Sequence, residues 1–269
     1  MNLSRFIAGS SIKNVIPIAN RVINNNNTPI INYIIEDVDN PMNVFTEYRT
    51  LINNINNRYK ISIKISSFGF DKDLLYTLIE CSKWKNIRVI IDAEENKYNE
   101  QYQEISNYLI RRHNKDYPYI IKTYQMYRKD ALDTLTYDIQ QSYLQDFHLG
   151  INLVRGTYFI SDKNQGDLFT DKKLTDNSYN LGIRTLSKYK FDTLLSTHNE
   201  ESIRLGCINN IFKPYPLFEF AHLMGMHDDK FKDIANISYN VNTYIPYGPY
   251  SKTIPYLTRV MHEKKYILK

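Results

Sequence analysis

Lys64 interrupts the apolar run Ile61, Ile63 and Ile65. Alternation along a strand puts it on the face opposite those three residues, which in a barrel is the interior. A charge placed there needs a partner, and Asp92, at the end of the next apolar run, is the obvious one. The pair reads equally as a structural ion pair or as a tuned catalytic pair, since both perturb pKa values. In Ser196-Thr197-His198-Asn199, His198 is open to three roles: general base, metal ligand, or hydrogen-bonded fixture, the last being commonest. A metal site asks for several convergent His and carboxylate ligands. No H-x-H accompanies the first strand, and His222, His227 and Asp228 have no established ligand spacing, so no metal is expected. Near the C-terminus, Tyr256, Arg259, Val260 and Glu263 fall at i, i+3, i+4 and i+7 on one helical face. Two charges and a tyrosine beside a valine suit a polar partner, such as a ligand carboxylate held by Arg259. An Arg259 to Glu263 pair on a solvated surface is the competing reading.

Positioning these residues requires a scaffold, and apolar runs bounded by turn signals supply one. Strands are expected at 30–35, 61–66, 87–93, 119–125, 148–156, 192–199, 218–225 and 241–248. Helical spacing fills several of the gaps. Val44, Tyr48, Leu51, Ile52 and Ile55 follow Asn40 and Pro41 as N-cap and first-turn residues, and Leu74, Leu75, Leu78 and Ile79 follow Asp71. A strand followed by a helix about eight times in this length predicts an α/β fold of the (β/α)8 TIM-barrel type, with residues 1–269 as one domain and a C-terminal helix contributing to the site. No G-x-G-x-x-G follows the first strand, which argues against a Rossmann dinucleotide site. In such a barrel the active site lies where strands end. Here the ends offer Glu36, Lys64 and Ser66, Asp92 and Glu94, Gln125, Arg155, His198 and Asn199, His222, and Tyr244.

Composition narrows the function classes. The 269 residues are 42% hydrophobic and 13% aromatic with only 9 Gly and 9 Pro, which excludes a disordered or collagen-like chain. The 34 Lys+Arg against 29 Asp+Glu leave a net charge of +5, too mild and too evenly spread to imply nucleic acid. Cys81 and Cys207 stand alone, so an intracellular, reducing compartment is the default. The cytoplasm is the first expectation. A mitochondrion is the second, because Arg5, Lys13 and Arg21 precede any acid before Glu36. No uninterrupted apolar run of about 18 residues spans a bilayer, though peripheral membrane contact is open.

Taken in order, the motifs resemble those of the proline dehydrogenase family. They are Arg5-Phe6-Ile7-Ala8-Gly9, Tyr33 with Glu36-Asp37, Ile63-Lys64-Ile65, Ile91-Asp92-Ala93-Glu94 and Thr123-Tyr124-Gln125-Met126-Tyr127. Leu153-Val154-Arg155-Gly156-Thr157-Tyr158 resembles the family's L-V-R-G-A-Y, and Thr175-Asp176-Asn177-Ser178-Tyr179 its T-D-x-x-Y. Ser196-Thr197-His198-Asn199, Leu223-Met224-Gly225-Met226, Tyr244-Ile245-Pro246-Tyr247-Gly248-Pro249 and Pro255-Tyr256-Leu257-Thr258-Arg259 complete the series. Each motif alone is weak; their shared order over nearly the whole chain is specific.

The resemblance implies a flavoprotein that oxidises L-proline to 1-pyrroline-5-carboxylate by hydride transfer to N5 of FAD, with a quinone as electron acceptor. It implies Lys64, Asp92 and Tyr244 at the chemistry, Leu223 and Tyr256 shaping the proline pocket, and Arg259 on the substrate carboxylate. FAD would be held through Gln125, Asn152, Val154, Arg155, Gly156, Thr175, Thr197, His198 and Asn199, with Tyr158 and Glu263 nearby. Members that prefer hydroxyproline lose the tyrosine at the position of Tyr244, so proline is the expected substrate.

Two departures fall at the chemistry. The family carries adjacent arginines on the last helix, and here the second is Val260. A charge-assisted bond to a carboxylate is worth about 1.5–3 kcal/mol, roughly ten- to more than a hundredfold in affinity. Asn152 replaces a basic residue next to the flavin; an amide can hydrogen-bond it but adds no positive charge. His222 stands where the family often has Gln. A weakened or inactive flavin-binding relative, or an oxidase of a related cyclic amine, is therefore the alternative. The joint presence of Lys64, Asp92, Tyr244 and Arg259 favours the active enzyme.

Overall fold

The side chain of Asn40 accepts from the backbone N–H of Met42 at 3.0 Å, and Asp71 caps Asp73 and Leu74 at 2.9 and 3.0 Å. Both caps satisfy donors that a helix start leaves orphaned, and both helices begin where the sequence places them. The computed structural model describes residues 3–35, 40–164, 167–211, 213 and 217–267, with side chains from 5 to 262 within those ranges. Glu36 and Asp37, expected after the first strand, lie outside them.

In chain order the elements are α1 (Ile12–Asn24), β1 (Thr28–Tyr33), α2 (Pro41–Asn54), β2 (Lys60–Ile63), α3 (Lys72–Trp84), β3 (Arg88–Ile91), α4 (Asn99–His113) and β4 (Ile120–Gln125). They continue with α5 (Ala131–Leu144), β5 (Gly150–Val154), α6 (Phe159–Asp162), α7 (Lys172–Leu186), β6 (Asp192–Ser196), α8 (Glu200–Ile211), β7 (Phe218–Leu223), α9 (Asp228–Asn236), β8 (Val241–Tyr247) and α10 (Tyr250–Ile267). The strands close into a parallel barrel in the order β1 to β8, the (β/α)8 arrangement that the alternation predicts. Among the described residues no helix is long and apolar enough to cross a membrane.

Contacts group the chain into two compact units, Met1–Asp92 with Ala221–Arg259 and Ala93–Phe220 with Val260–Lys269. In the first, Ile31, Ile61, Ile63 and Ile91 are fully buried and alternate with residues of the opposite face. Register fixes that face: Ile30 pairs with Lys60 and Tyr244, Asn32 with Ser62, and Ser62 with Ile90. Thr243 points towards the helices, where its hydroxyl meets His222, whose ring stacks on Phe231 of α9. Asn32, Ser62, Lys64, Asp92 and Tyr244 therefore share the face turned away from the helices, the barrel interior.

The N-terminal segment is part of this unit. Val15 and Ala19 of α1 are fully buried, and α1 packs on β1 and β8. Ala8 N–H donates to the carbonyl of Pro246 at 2.8 Å, and Gly248 N–H to that of Gly9 at 3.1 Å. Gly225, at φ +79°, lies so close to this segment that a Cβ would sit 2.6 Å from the carbonyl oxygen of Arg5, so the Arg5-Phe6-Ile7-Ala8-Gly9 and Leu223-Met224-Gly225-Met226 motifs require each other.

In the second unit Thr123 pairs with Asn152 and Gln125 with Val154, while Asn152 pairs with Leu194. The intervening Lys122 points out to α4 and α5: its Nζ donates to Asn107 at 2.8 Å and to Asp138 at 2.6 Å. Burial pushes the Lys122 pKa down against the pull of Asp138, a structural pair that fixes β4 to its flanking helices.

Candidate active site

Asp92 is the centre of the first unit's polar face. It follows β3 directly, its N–H bonded to the carbonyl of Ile63 at 2.8 Å. Burial raises its pKa to about 6, against lowering contributions from Ser62, Lys64, Asn32 and Tyr244. The Nδ2 of Asn32 donates to its Oδ2 at 3.1 Å. The result is a carboxylate in a low-dielectric setting with a cation, a phenol, a hydroxyl and an amide around it, the pattern by which proteins tune an acid towards neutral pH.

Lys64 lies just past β2, at the start of a short 3-10 turn over Ile65–Phe68. The turn explains why the strand ends earlier than its apolar pattern: Ile65 and Phe68 are fully buried, but in a tight turn. Tyr244 sits mid-β8, partly exposed, and Leu223 ends β7. His222 precedes Leu223 and faces the helices. Its Nδ1 lies 3.2 Å from the carbonyl of Met226 and its Nε2 2.9 Å from Thr243 Oγ1. Burial lowers its pKa, so it is a neutral, structural ring that leaves Leu223 on the interior side. On α10 the Arg259 guanidinium lies 5.5 Å from the Tyr256 ring centroid, a cation–π contact. The helix begins at Tyr250, so Lys252 and Pro255 both lie inside it.

The second unit gathers most of the residues expected at a flavin. Arg155 follows β5, and its Nε donates to Asp176 at 2.7 Å, Nη2 to Ser202 at 2.9 Å and Nη1 to Thr197. Its guanidinium lies 4.4 Å from the Tyr179 ring centroid. Burial raises the pKa of Asp176, but hydrogen bonds from Lys172 and Arg155 more than offset this and hold it below the usual range. Asn152, almost fully buried, donates to Thr123 Oγ1 at 3.0 Å and accepts from Ser196 Oγ at 2.6 Å. Gln125 donates to the carbonyl of Glu94 at 2.9 Å and accepts from the N–H of Thr157 at 3.3 Å. Val154 ends β5, Thr175 is buried on α7, and His198 sits in the β6–α8 connection. Asn199 Oδ1 accepts from Ser202 N–H at 3.0 Å, capping α8. Gly156, at φ +138°, lets the chain pass so near Tyr127 that a Cβ would overlap its ring at 2.1 Å. Tyr158 is buried just before α6. The side chain of Glu263 lies outside the described residues.

This donor set fits a dinucleotide carrying a flavin. It offers the Arg155 guanidinium beside the N-terminal end of α8, groups of the kind that bind diphosphates. Three of the five N–H groups of Arg155 go to protein partners. Asn32, Ser62 and Ser202 are not among the residues the sequence singles out, and Thr123, Asp176 and Ser196 enter only as motif members. An Asn within Ile30-Ile31-Asn32-Tyr33 was the visible signal for the first; the others are read only through distant partners.

Fold and site define a TIM-type barrel with a polar set at its strand ends. The family model described as proline dehydrogenase matches residues 28–267, and the chain belongs to that family. Its curated relatives include proline dehydrogenase 1, mitochondrial, of Dictyostelium discoideum, 29% identical over 202 residues, covering 67% of this chain and 35% of that protein. Proline dehydrogenase 1, mitochondrial, of Arabidopsis thaliana is 30% identical over 198 residues, covering 67% of this chain and 40% of that one. The carbapenem antibiotics biosynthesis protein CarD of Pectobacterium carotovorum subsp. carotovorum is 28% identical over 191 residues, covering 69% and 50%. Among solved structures, proline utilization A of Bdellovibrio bacteriovorus, inactivated by N-propargylglycine, superposes with a TM-score of 0.90 at 18% identity, over 97% of this chain and 32% of that one. The chain thus spans about a third to a half of the length of these relatives.

Proposed function

We propose that residues 1–269 act as one barrel domain that oxidises L-proline to 1-pyrroline-5-carboxylate with FAD. The observation that carries this reading is the convergence of Lys64, Asn32, Ser62 and Tyr244 on the buried Asp92, because it supplies a tuned proton acceptor at the position to which the motif resemblance assigns the chemistry.

Oxidation of a secondary ammonium to a protonated imine removes two electrons and two protons, one proton from the ring nitrogen and the other with the electron pair from the ring carbon. Bound FAD supplies the two-electron acceptor that amino-acid side chains lack. This chain's part is to bind, orient and deprotonate. Proline enters as an ammonium, and a carboxylate with a pKa of about 6 is largely ionised at pH 7, so Asp92 accepts a proton from the ring nitrogen through a carboxylate oxygen. Lys64 keeps that oxygen ionised until the substrate arrives. Arg259, preset over Tyr256, takes the substrate carboxylate, and Leu223, Tyr244 and Tyr256 enclose the ring and exclude water.

Gln125, Asn152, Val154, Arg155, Gly156, Thr175, Thr197, His198 and Asn199 would hold FAD, with Tyr158 and Glu263 beside them. Asn152 contributes hydrogen bonding without charge. A quinone is the electron acceptor in this reading, reached from an intracellular site, cytoplasmic or mitochondrial, with at most peripheral membrane contact. Purified protein supplied with FAD and an artificial acceptor should consume L-proline and release an imine that an aromatic amino-aldehyde traps as a coloured adduct. Absence of both consumption and adduct would overturn the reading in favour of a non-catalytic flavin-binding relative.

A further inference from the structure

Asn32 occupies the interior face at the end of β1, is only 5% exposed, and belongs to no motif that the function has used. Its neighbours along the row are Ser62 on β2 and Pro246 on β8. Across that row, the side-chain amide reaches the carboxylate following β3, with Nδ2 3.1 Å from Asp92 Oδ2. The assignment of amide nitrogen and oxygen is chemically fixed, since an ionised carboxylate only accepts hydrogen bonds. The two residues are 60 positions apart in sequence, so the bond exists only because register sets β1 and β3 on either side of Ser62.

We propose that Asn32 is a positioning residue that holds the Asp92 carboxylate, through Oδ2, in the orientation the substrate amine meets. This rests on the reading of Asp92 as the proton acceptor. An aspartate carboxyl turns about its Cα–Cβ and Cβ–Cγ bonds, and a neighbouring cation alone does not fix its plane. A lysine ammonium acts as a point charge, whereas a planar amide anchored in a strand is directional. A neutral donor also gives orientation without the second positive charge that would hold Asp92 ionised too strongly to exchange a proton near pH 7. The titratable groups acting on Asp92 are Lys64 at the end of β2, Tyr244 on β8 and Tyr48 on α2; Asn32 differs from all three in adding no ionisation of its own.

The test uses the FAD-loaded full chain, with the Asp92 carboxyl followed by carbon-13 NMR and assigned by its disappearance in Asp92→Asn. In Asn32→Leu, which keeps the branched heavy-atom skeleton and removes the donor, the Asp92 midpoint should move up by about one unit. In Asn32→Asp a carboxylate pair forms, and the midpoint should move up further. Asn32→Ser, which retains a donor, should fall between wild type and Asn32→Leu and serves where the leucine variant does not fold. The acid limb of kcat/KM for proline should shift with the NMR midpoint, with kcat falling more than KM rises. An Asp92 midpoint unmoved in both Asn32→Leu and Asn32→Asp overturns the proposal. The NMR titration needs no turnover, so protein inert towards proline would refute the proposed function while the midpoints still decide the role of Asn32.

Discussion

Arg155 Nε donates to Asp176 Oδ1 at 2.7 Å while the other edge of the same guanidinium holds Ser202 and Thr197. One side chain thereby ties the end of β5 to α7, the β6–α8 connection and α8. Breaking a buried pair by removing one partner costs about 3–5 kcal/mol, because the other charge is left unpaired. Arg155→Met should destabilise by that amount, and Arg155→Lys by somewhat less, since one ammonium cannot serve three directions. Denaturant unfolding checks both. Asp176 has a lowered pKa, so its contribution is present above the unfolded carboxylate range and is lost as pH falls through the folded value. Arg155→Met should make the acid side of the stability curve shallower.

Asp92 acts with the opposite sign. Its pKa rises from 3.8 to about 6 on folding. Its contribution is therefore complete below its unfolded pKa and is lost as pH rises through about 6. Asp92→Asn should flatten stability between those limits, while abolishing proline oxidation. Thermal unfolding across that pH range reads the first effect and steady-state kinetics the second. A variant whose stability still falls as pH rises through about 6 would contradict the burial argument.

Gly156 cannot take a side chain without moving Tyr127, whose hydroxyl donates to the buried Asp162 at 2.6 Å. Asp162 also accepts from the N–H of Asn96 at 2.9 Å. Gly156→Ala combines positive-φ strain with overpacking and should cost at least about 2 kcal/mol, lowering Tm by several degrees and weakening FAD retention. Calorimetry of the apo and FAD-loaded variant separates the two effects.

Val260→Arg restores a second cation on the α10 face that carries Arg259. One added charge-assisted bond to the substrate carboxylate should lower KM for proline about tenfold or more. An unchanged KM would mean that α10 does not meet the carboxylate.

Much of this arrangement is legible in the sequence because it depends on local rules. The cap at Asn40, the helix after Asp71 and the inward aspect of Lys64 follow from helix-start chemistry, helical spacing and strand alternation, and the structure places them as read. Where strands stop is less legible, as Ile65 and Phe68 show: apolar residues bury as well in a 3-10 turn as in a strand. How the segment around Lys13 and Arg21 packs is equally illegible in composition: Val15 and Ala19 set it against β1 and β8. Asn32 and Ser202 are invisible without register, because each matters through a partner supplied by another element. The flavin and proline assignments came from the ordered motifs and not from periodicity.

The most direct measurement is the visible spectrum of the FAD-reconstituted protein before and after L-proline is added without oxygen. Bound oxidised flavin should give a yellow protein that bleaches on addition, with Asp92→Asn staying yellow. Protein that binds FAD and remains yellow with excess proline would contradict proline oxidation by this chain, and protein that takes up no FAD would contradict the flavoenzyme reading altogether.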